Sequence, residues 1–304
     1  MEPVVVQTDQ DIKISHKRKS RFKKTLTFLK KNPSGMLGLI LVLLTIACAL
    51  FSSIIAPMDP GEASLTSRLA PPSWADEAGE STYFLGADQL GRDLLSRIIA
   101  GAKISLMVGF FGVIISMVLG TVLGLISGYF GKWLDDFIMR IADIQLAFPF
   151  ILFAIIIMSV LGTGIWKIVL ILGLTYWVGF ARLIRGQVIS VKELEYVQAA
   201  KAVGGTHFTI IRKHIFPNVL SSILVLGTLY IAEFILLEAS LTFLGLGVDP
   251  TIPSWGGMLA DSRNYISTAW WTATFPGLAI MLTVLGFNLL GDWLRDKLDP
   301  NLKV

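Results

Sequence analysis

The chain has 304 residues, 54% of them hydrophobic and only 16% charged, with a mean hydropathy of +0.68. Soluble domains carry about 25% charged residues, and so much apolar surface cannot all be buried in a soluble fold of this size, so the implied solvent is a lipid bilayer. The net charge of +4 is modest, and a single cysteine (Cys48) excludes a disulfide framework or a multi-thiolate metal site, while three histidines leave little for a histidine-based one.

Residues 1–34 form a basic tail, with nine Lys and Arg in the first 31 positions. The first uncharged apolar run, 35–56, is long enough to span a bilayer, which takes about 20 residues. It starts too late and runs too long for a cleaved leader and reads as a retained anchor. Thr45-Ile46-Ala47-Cys48 faintly echoes a lipoprotein signal but sits mid-span, so Cys48 reads as structural. The segment 57–103 is the sizeable piece outside the bilayer before the core. Pro and Gly make its first half irregular. In its second half, Asp88 as N-cap, the i,i+4 pairs Asp88/Arg92 and Asp93/Arg97, and the stripe Leu90, Leu94 and Ile98 predict a helix over 86–97 lying at the membrane surface. That interfacial helix reads as a connector aiming the next span, in preference to a substrate contact.

Residues 104–304 hold five further spans, at 104–130, 137–161, 166–184, 218–246 and 270–290. Six transmembrane helices make this an all-α membrane protein. The second span carries Gly112, Ser116, Gly120, Gly124 and Gly128 at every fourth position, a face that admits close helix packing. Lys and Arg crowd the N-terminal tail, the 185–217 loop and the C-terminal tail, whereas 58–93 holds seven acids against two arginines. The excess of positive charge puts both termini and the 185–217 loop in the cytoplasm. Arg182 and Arg185 then reach for the cytoplasmic interface.

No phosphate-cradling G-x-x-x-x-G-K-[ST], no H-E-x-x-H and no G-x-S-x-G occurs. No catalytic residue, metal ligand or cofactor is therefore expected in this chain, and His207 and His214 read as polar surface residues. The segment 195–218 reads as helix, break, helix. Ala199, Ala200 and Ala202 suit a helix in tight contact, Gly204-Gly205 interrupts it, and Thr206 can cap the second helix. Tyr196, Ala200 and Val203 share one face, Phe208, Ile211 and Ile215 another, and Pro217 ends the segment as the fifth span begins. Such a helix can lie on lipid or dock into a groove on a soluble partner.

This segment resembles the EAA loop of permease subunits of binding-protein-dependent ABC importers: Gln198-Ala199-Ala200, Gly204 and Pro217 fall at the family spacing, with Gln198, His214 and Phe216 departing from the usual Glu, Ile and Leu. Residues 84–97, Phe-Leu-Gly-Ala-Asp-Gln-Leu-Gly-Arg-Asp-Leu-Leu-Ser-Arg, resemble the L-G-T-D-x-x-G-R-D-x-x-S-R signature of the dipeptide, oligopeptide and nickel permeases. Residues 238–247, with Pro250 and Pro253-Ser254-Trp255-Gly256, resemble that class's E-x-x-L-x-F-L-G-L-G…P-x-W-G run. The layout matches the second, C-type permease of such systems.

The resemblance implies a type I ABC importer permease fold in a bacterial or archaeal inner membrane. It also implies a homologous B-type permease, two ATPase subunits that bind ATP and Mg, and an extracytoplasmic binding protein. It places ATPase-coupling contacts at Glu195, Gln198, Ala199, Ala200, Lys201, Gly204, Gly205 and Pro217. The implied cargo is a di- or oligopeptide, with nickel or another small solute as the alternative. An ATP-independent channel or secondary transporter would need charged or broken helices near the midplane, whereas most charges here cluster at helix ends. The docking-type loop argues against a passive scaffold. Glu233 and Glu238 are charges inside the fifth span, where they are costly; they read either as lining the translocation path or as interhelical hydrogen-bond anchors.

Overall fold

The computed structural model describes residues 32–76, 79 and 81–298. The basic tail, with His16 and its Lys and Arg up to residue 31, and Lys303 lie outside the described residues. Among the described residues there is no strand, only an isolated antiparallel bridge between Ala87 and Asp93.

Five helices are long and apolar enough to cross a membrane: α1 (Pro33–Leu50), α3 (Leu94–Phe130), α6 (Ile165–Val191), the continuous helix His207–Phe243, and α11 (Trp271–Leu298). A short helix, α2 (Ser52–Ile55), comes directly after α1. A sixth crossing is broken. Residues 137–161, expected as one span, form α4 (Lys132–Leu146) and α5 (Phe150–Leu161), bent by 86°. Pro149 stands directly before α5; a proline ring disfavours helical geometry at the residue before it, and so the helix stops rather than running through.

The interfacial helix expected over 86–97 is not formed. Residues 86–93 make a tight turn, with Gly91 at φ +74°. The helix starts at Leu94, capped by Asp93, whose Oδ2 accepts from the Ser96 amide at 2.8 Å. That helix runs unbroken to Phe130, taking in the second expected span. Asp88 caps no helix; its Oδ1 accepts from the amides of Leu90 (2.8 Å) and Arg92 (3.0 Å), which stabilises the turn instead.

Small residues set the bundle's central contact, α3 against α6. A Cβ on Gly124 would lie 2.7 Å from the Ala181 carbonyl oxygen, and one on Gly128 would lie 2.8 Å from the Val188 Cβ; at Gly120 it would collide with Phe180 and the Trp177 carbonyl. Ser116 is fully buried on the same stripe, while Gly112 faces Phe234 of α9 (Phe216–Phe243). Backbones approaching this closely gain dispersion and lose little side-chain entropy, which is how helices associate in lipid. One core joins α3, α6 and α9, and a second joins α1, α3, α9 and α11, where Thr45 and Thr283 hydroxyls meet at 3.1 Å. Cys48 is half-buried in α1 beside this second core. Large apolar side chains such as Leu43, Val118, Ile156 and Met281 point outward, as a lipid-facing surface requires.

Candidate functional site

At one end of the bundle the 192–217 segment folds as α7 (Glu195–Ala202), a glycine turn, α8 (His207–Ile210), a π-turn over Ile211–Ile215, and then α9. Gly204 adopts φ +84°, a left-handed angle that glycine takes without a Cβ penalty. Thr206 caps α8, its Oγ1 accepting from the Thr209 amide at 3.3 Å. Pro217 does not end the segment. It is the second residue of α9, and the helix continues past it. Its missing amide and its ring would clash with the carbonyl four residues back in a regular turn; the π-turn widens the backbone just ahead of it.

The segment is keyed into the bundle by Val197, Ile210 and Ile215, all at most 3% exposed. Opposite this keel, Val203 is 89% exposed, Phe208 72% and Tyr196 45%. Tyr196 and Val203 share an exposed face; of the second expected face Ile215 is buried and Ile211 packs against the core, while Phe208 is exposed and Val197 and Ile210 join the inward side. Glu195, Gln198, Ala199, Lys201, Gly204, Gly205 and Pro217 are exposed, and Ala200 is half-buried. Gln198 donates its amide to the Lys192 carbonyl at 2.8 Å, tying α7 to the turn before it. Ala199, Val203, Gly204, Thr209 and Lys213 border an open groove of about 510 Å³. Two polar contacts link this unit to separate helices. Tyr129 at the end of α3 meets the His207 Nδ1 at 2.8 Å, and Asn218 of α9 donates to the Tyr196 hydroxyl at 2.9 Å. Neither contact has a linear pattern by which sequence reasoning could find it.

Arg182 and Arg185 do not simply extend toward the interface. Arg185 grips Asp135 of α4 with two bonds, of 2.5 and 2.6 Å, and Arg182 meets Asp143 at 2.5 Å. These pairs lash α4 to α6.

The two intraspan acids part ways. Glu238 is sealed in the bundle at 0% exposure, accepting from Ser105 of α3 (3.0 Å) and Thr242 (2.9 Å). It anchors α9 to α3. Glu233 is half-buried. The Tyr176 side chain of α6 is its electrostatic neighbour. Further along the same flank, Gln187, Asn218, Ser221, Ser222 and Arg295 border a cleft of about 570 Å³ between α6, α9 and α11.

At the opposite end, two of the sequence motifs hold each other. Asp88 Oδ2 bonds Arg92 Nε at 2.7 Å and lies 3.3 Å from Arg97 Nε, while Asp261 of α10 (Trp255–Ser262) lies 3.7 Å from Arg92 and 4.0 Å from Arg97. The expected Asp93/Arg97 pair does not form, because Asp93 is occupied as the cap. Trp255 donates to the Ile98 carbonyl at 2.9 Å and Trp271 to the Ala87 carbonyl at 3.2 Å. Nearby, outside the spans, the Thr251 hydroxyl and amide hold the Asp249 carboxyl below the usual range. Arg97 and Asp88 are 2% and 4% exposed, so this charge cluster is a buried clasp that ties the 88–97 segment to α10.

Among the described residues no group of His, Cys, Asp and Glu is arranged to hold a metal ion. Residues 120–304 match the family described as binding-protein-dependent transport system inner membrane component, and residues 20–72 match the N-terminal TM domain of oligopeptide transport permease C. The chain is 44% identical to the dipeptide transport system permease protein DppC of Alkalihalophilus pseudofirmus, over 93% of this chain and 91% of that protein. It is also 44% identical to the glutathione transport system permease protein GsiD of Pectobacterium atrosepticum, over 91% and 89% respectively. In fold it resembles a crystal structure of an amino acid ABC transporter with histidines, at a TM-score of 0.52 and 16% identity, covering 66% of this chain and 94% of that one. The chain belongs to the inner-membrane components of binding-protein-dependent transport systems.

Proposed function

We propose that this chain is a pore-forming subunit of an ATP-driven importer of small peptides. Its α7–α8 unit and both termini face the cytoplasm, and separate ATPase subunits seat on α7. The single observation that carries this reading is the division of the 195–217 segment into a buried keel (Val197, Ile210, Ile215) and an exposed apolar edge (Val203, Phe208). A segment lying loosely on lipid needs no keel; one that transmits force needs both. The names of the 44%-identical relatives support a peptide cargo over nickel or an unrelated solute. ATP and Mg belong to the ATPase subunits in this reading, and the chain itself supplies no catalytic residue and no cofactor.

The contacts give the mechanism its route. When the ATPase pair closes on ATP, α7 moves with it. The keel and the continuous helix from His207 carry that displacement into α9, and the Tyr129–His207 bond carries it into α3. The clasp at the other end keeps α3 and α10 together as the bundle rocks. Rigid-body rocking of two homologous permeases then opens the path to one side at a time. In this reading, Glu233 and the Gln187–Ser222 cleft lie along that path.

The test is reconstitution with the partner permease, the ATPases and the binding protein in proteoliposomes. ATP-driven dipeptide uptake is the expected result, and Gly204→Arg is expected to abolish it. Arg at that position must adopt φ +84° at a cost of about 1–2 kcal/mol, yet its Cβ meets nothing within 4 Å, so the bundle still folds. Undiminished coupled uptake in that variant, or a complex that assembles without ATPases, overturns the proposal.

A further inference from the structure

Glu233 lies ten residues before the end of α9, about 15 Å along the helix axis, which is well inside the hydrocarbon zone. An ionisable group at such a depth is expensive and is retained only with a partner or a task. No cation pairs with it among the described residues. Its neighbours are instead Tyr176 of α6 and, three residues back on the same face of α9, Tyr230, and two phenols leave most of the carboxylate's acceptor capacity unused.

The surroundings are aromatic and fixed. Tyr176 and Tyr230 stand edge to face, 5.6 Å between centroids at 89°. Phe234 is 4.9 Å from Tyr176, Phe180 is 5.2 Å from Tyr230, and Phe150 closes the frame at 5.6 Å from Tyr176. The Tyr230 hydroxyl sits over Gly179, where any side chain would displace it. Neither tyrosine is sealed: both are half-buried, as Glu233 is. A carboxylate beside two tyrosine rings is complementary to a primary ammonium, which can give a charge-assisted hydrogen bond and lie within about 6 Å of a ring face. It repels anions and offers little to a neutral group.

We infer that Glu233, in the frame of Tyr176 and Tyr230, is the point at which the free amino group of the transported solute is held during passage. This rests on the importer reading above and adds to it a chemical class: solutes carrying a primary ammonium. The polar flank below, at Gln187, Ser222 and Asn218, then offers hydrogen bonds to the remainder of the solute on its way toward the cytoplasm.

The test uses the complete importer in proteoliposomes with two probes, alanylalanine and its N-formyl derivative, each supplied at matched occupancy of the binding protein. Glu233→Gln is expected to cut uptake of the free-amine peptide roughly tenfold, as loss of one charge-assisted contact implies. Uptake of the formyl peptide is expected to change by less than about twofold, because it carries no charge for that contact to hold. Glu233→Asp, which keeps the charge, is expected to restore the ratio of the two rates to within about threefold of wild type. Should Glu233→Gln not accumulate in the membrane, Tyr176→Phe tests the same ratio by removing the hydroxyl beside the carboxylate. Equal loss for both probes, or no loss for either, refutes the assignment while leaving the importer intact. Wild-type particles that hydrolyse ATP but move neither probe overturn the importer reading and this inference together, a pattern distinct from both.

Discussion

The exposed edge of the α7–α8 unit makes a quantitative demand. Full burial of a Val or Phe side chain is worth about 1.5–3 kcal/mol. Phe208 is 72% exposed and Val203 89%, so covering them in a partner's groove is worth about 2 and about 1.5 kcal/mol respectively. Replacing both with Ser removes about 3.5 kcal/mol of association, a rise in Kd of several hundredfold. Because neither side chain supports the bundle, the subunit's own melting temperature is expected to hold. Ile210→Ala gives the opposite pattern: at 1% exposure its truncation leaves a cavity costing about 2–5 kcal/mol of folding. The assay is titration of the purified permease pair with ATPase subunits by light scattering, beside a thermal melt of each variant. Wild-type affinity in the Val203→Ser/Phe208→Ser double variant would show that the edge touches no ATPase and refute the reasoning.

Packing and charge set three more outcomes. Gly124→Leu places a side chain against the Ala181 carbonyl 2.7 Å away and is expected to cost about 1–3 kcal/mol through overpacking, whereas Gly277→Ala, with nothing within 4 Å, gains up to about 1 kcal/mol of helix propensity; matched membrane yields and melting points for the two would contradict the close α3–α6 contact. Asp88→Asn leaves two buried guanidinium groups without their central counter-charge and is expected to cost about 3–5 kcal/mol, read as a lower melting temperature; an unchanged melt means the cluster is not the clasp described. Tyr129→Phe removes the 2.8 Å bond to His207, worth about 0.5–1.5 kcal/mol, and amide exchange at 207–210 is expected to quicken several-fold while the core amides of α6 do not change. Exchange that is identical in the two proteins would count against a mechanical link between α3 and α8.

The spans are legible because hydropathy over about 20 residues reports solvent directly, and the Gly124-type stripe because five small residues at one period have one structural meaning. The helix wrongly expected at 86–97 shows where period fails. Leu90, Leu94 and Ile98 fit a helical stripe, yet Asp88 finds its amide donors and its Arg92 partner in a turn just as well. The break before Pro149 is signalled by the proline itself and is masked by an apolar run that looks continuous. In the 195–217 segment the helices are evident, but their rotation is not, since rotation is set by which residues the bundle has room for. The aromatic frame around Glu233 draws on α5, α6 and α9, and the charge clasp on residues more than 160 apart; no linear pattern carries either.

The run from His207 to Phe243 is one continuous helical rod of 37 residues with a π-turn near its start, and in the proposed importer it serves as a lever arm. At 1.5 Å per residue, Glu233 lies roughly 40 Å from its lower tip. A swing of about 10° at that tip sweeps the carboxylate through roughly 7 Å, the span of about two residues of extended peptide. In the proposed importer, small angular play at the tip is thereby geared up into a stride that matches the pitch of a peptide cargo.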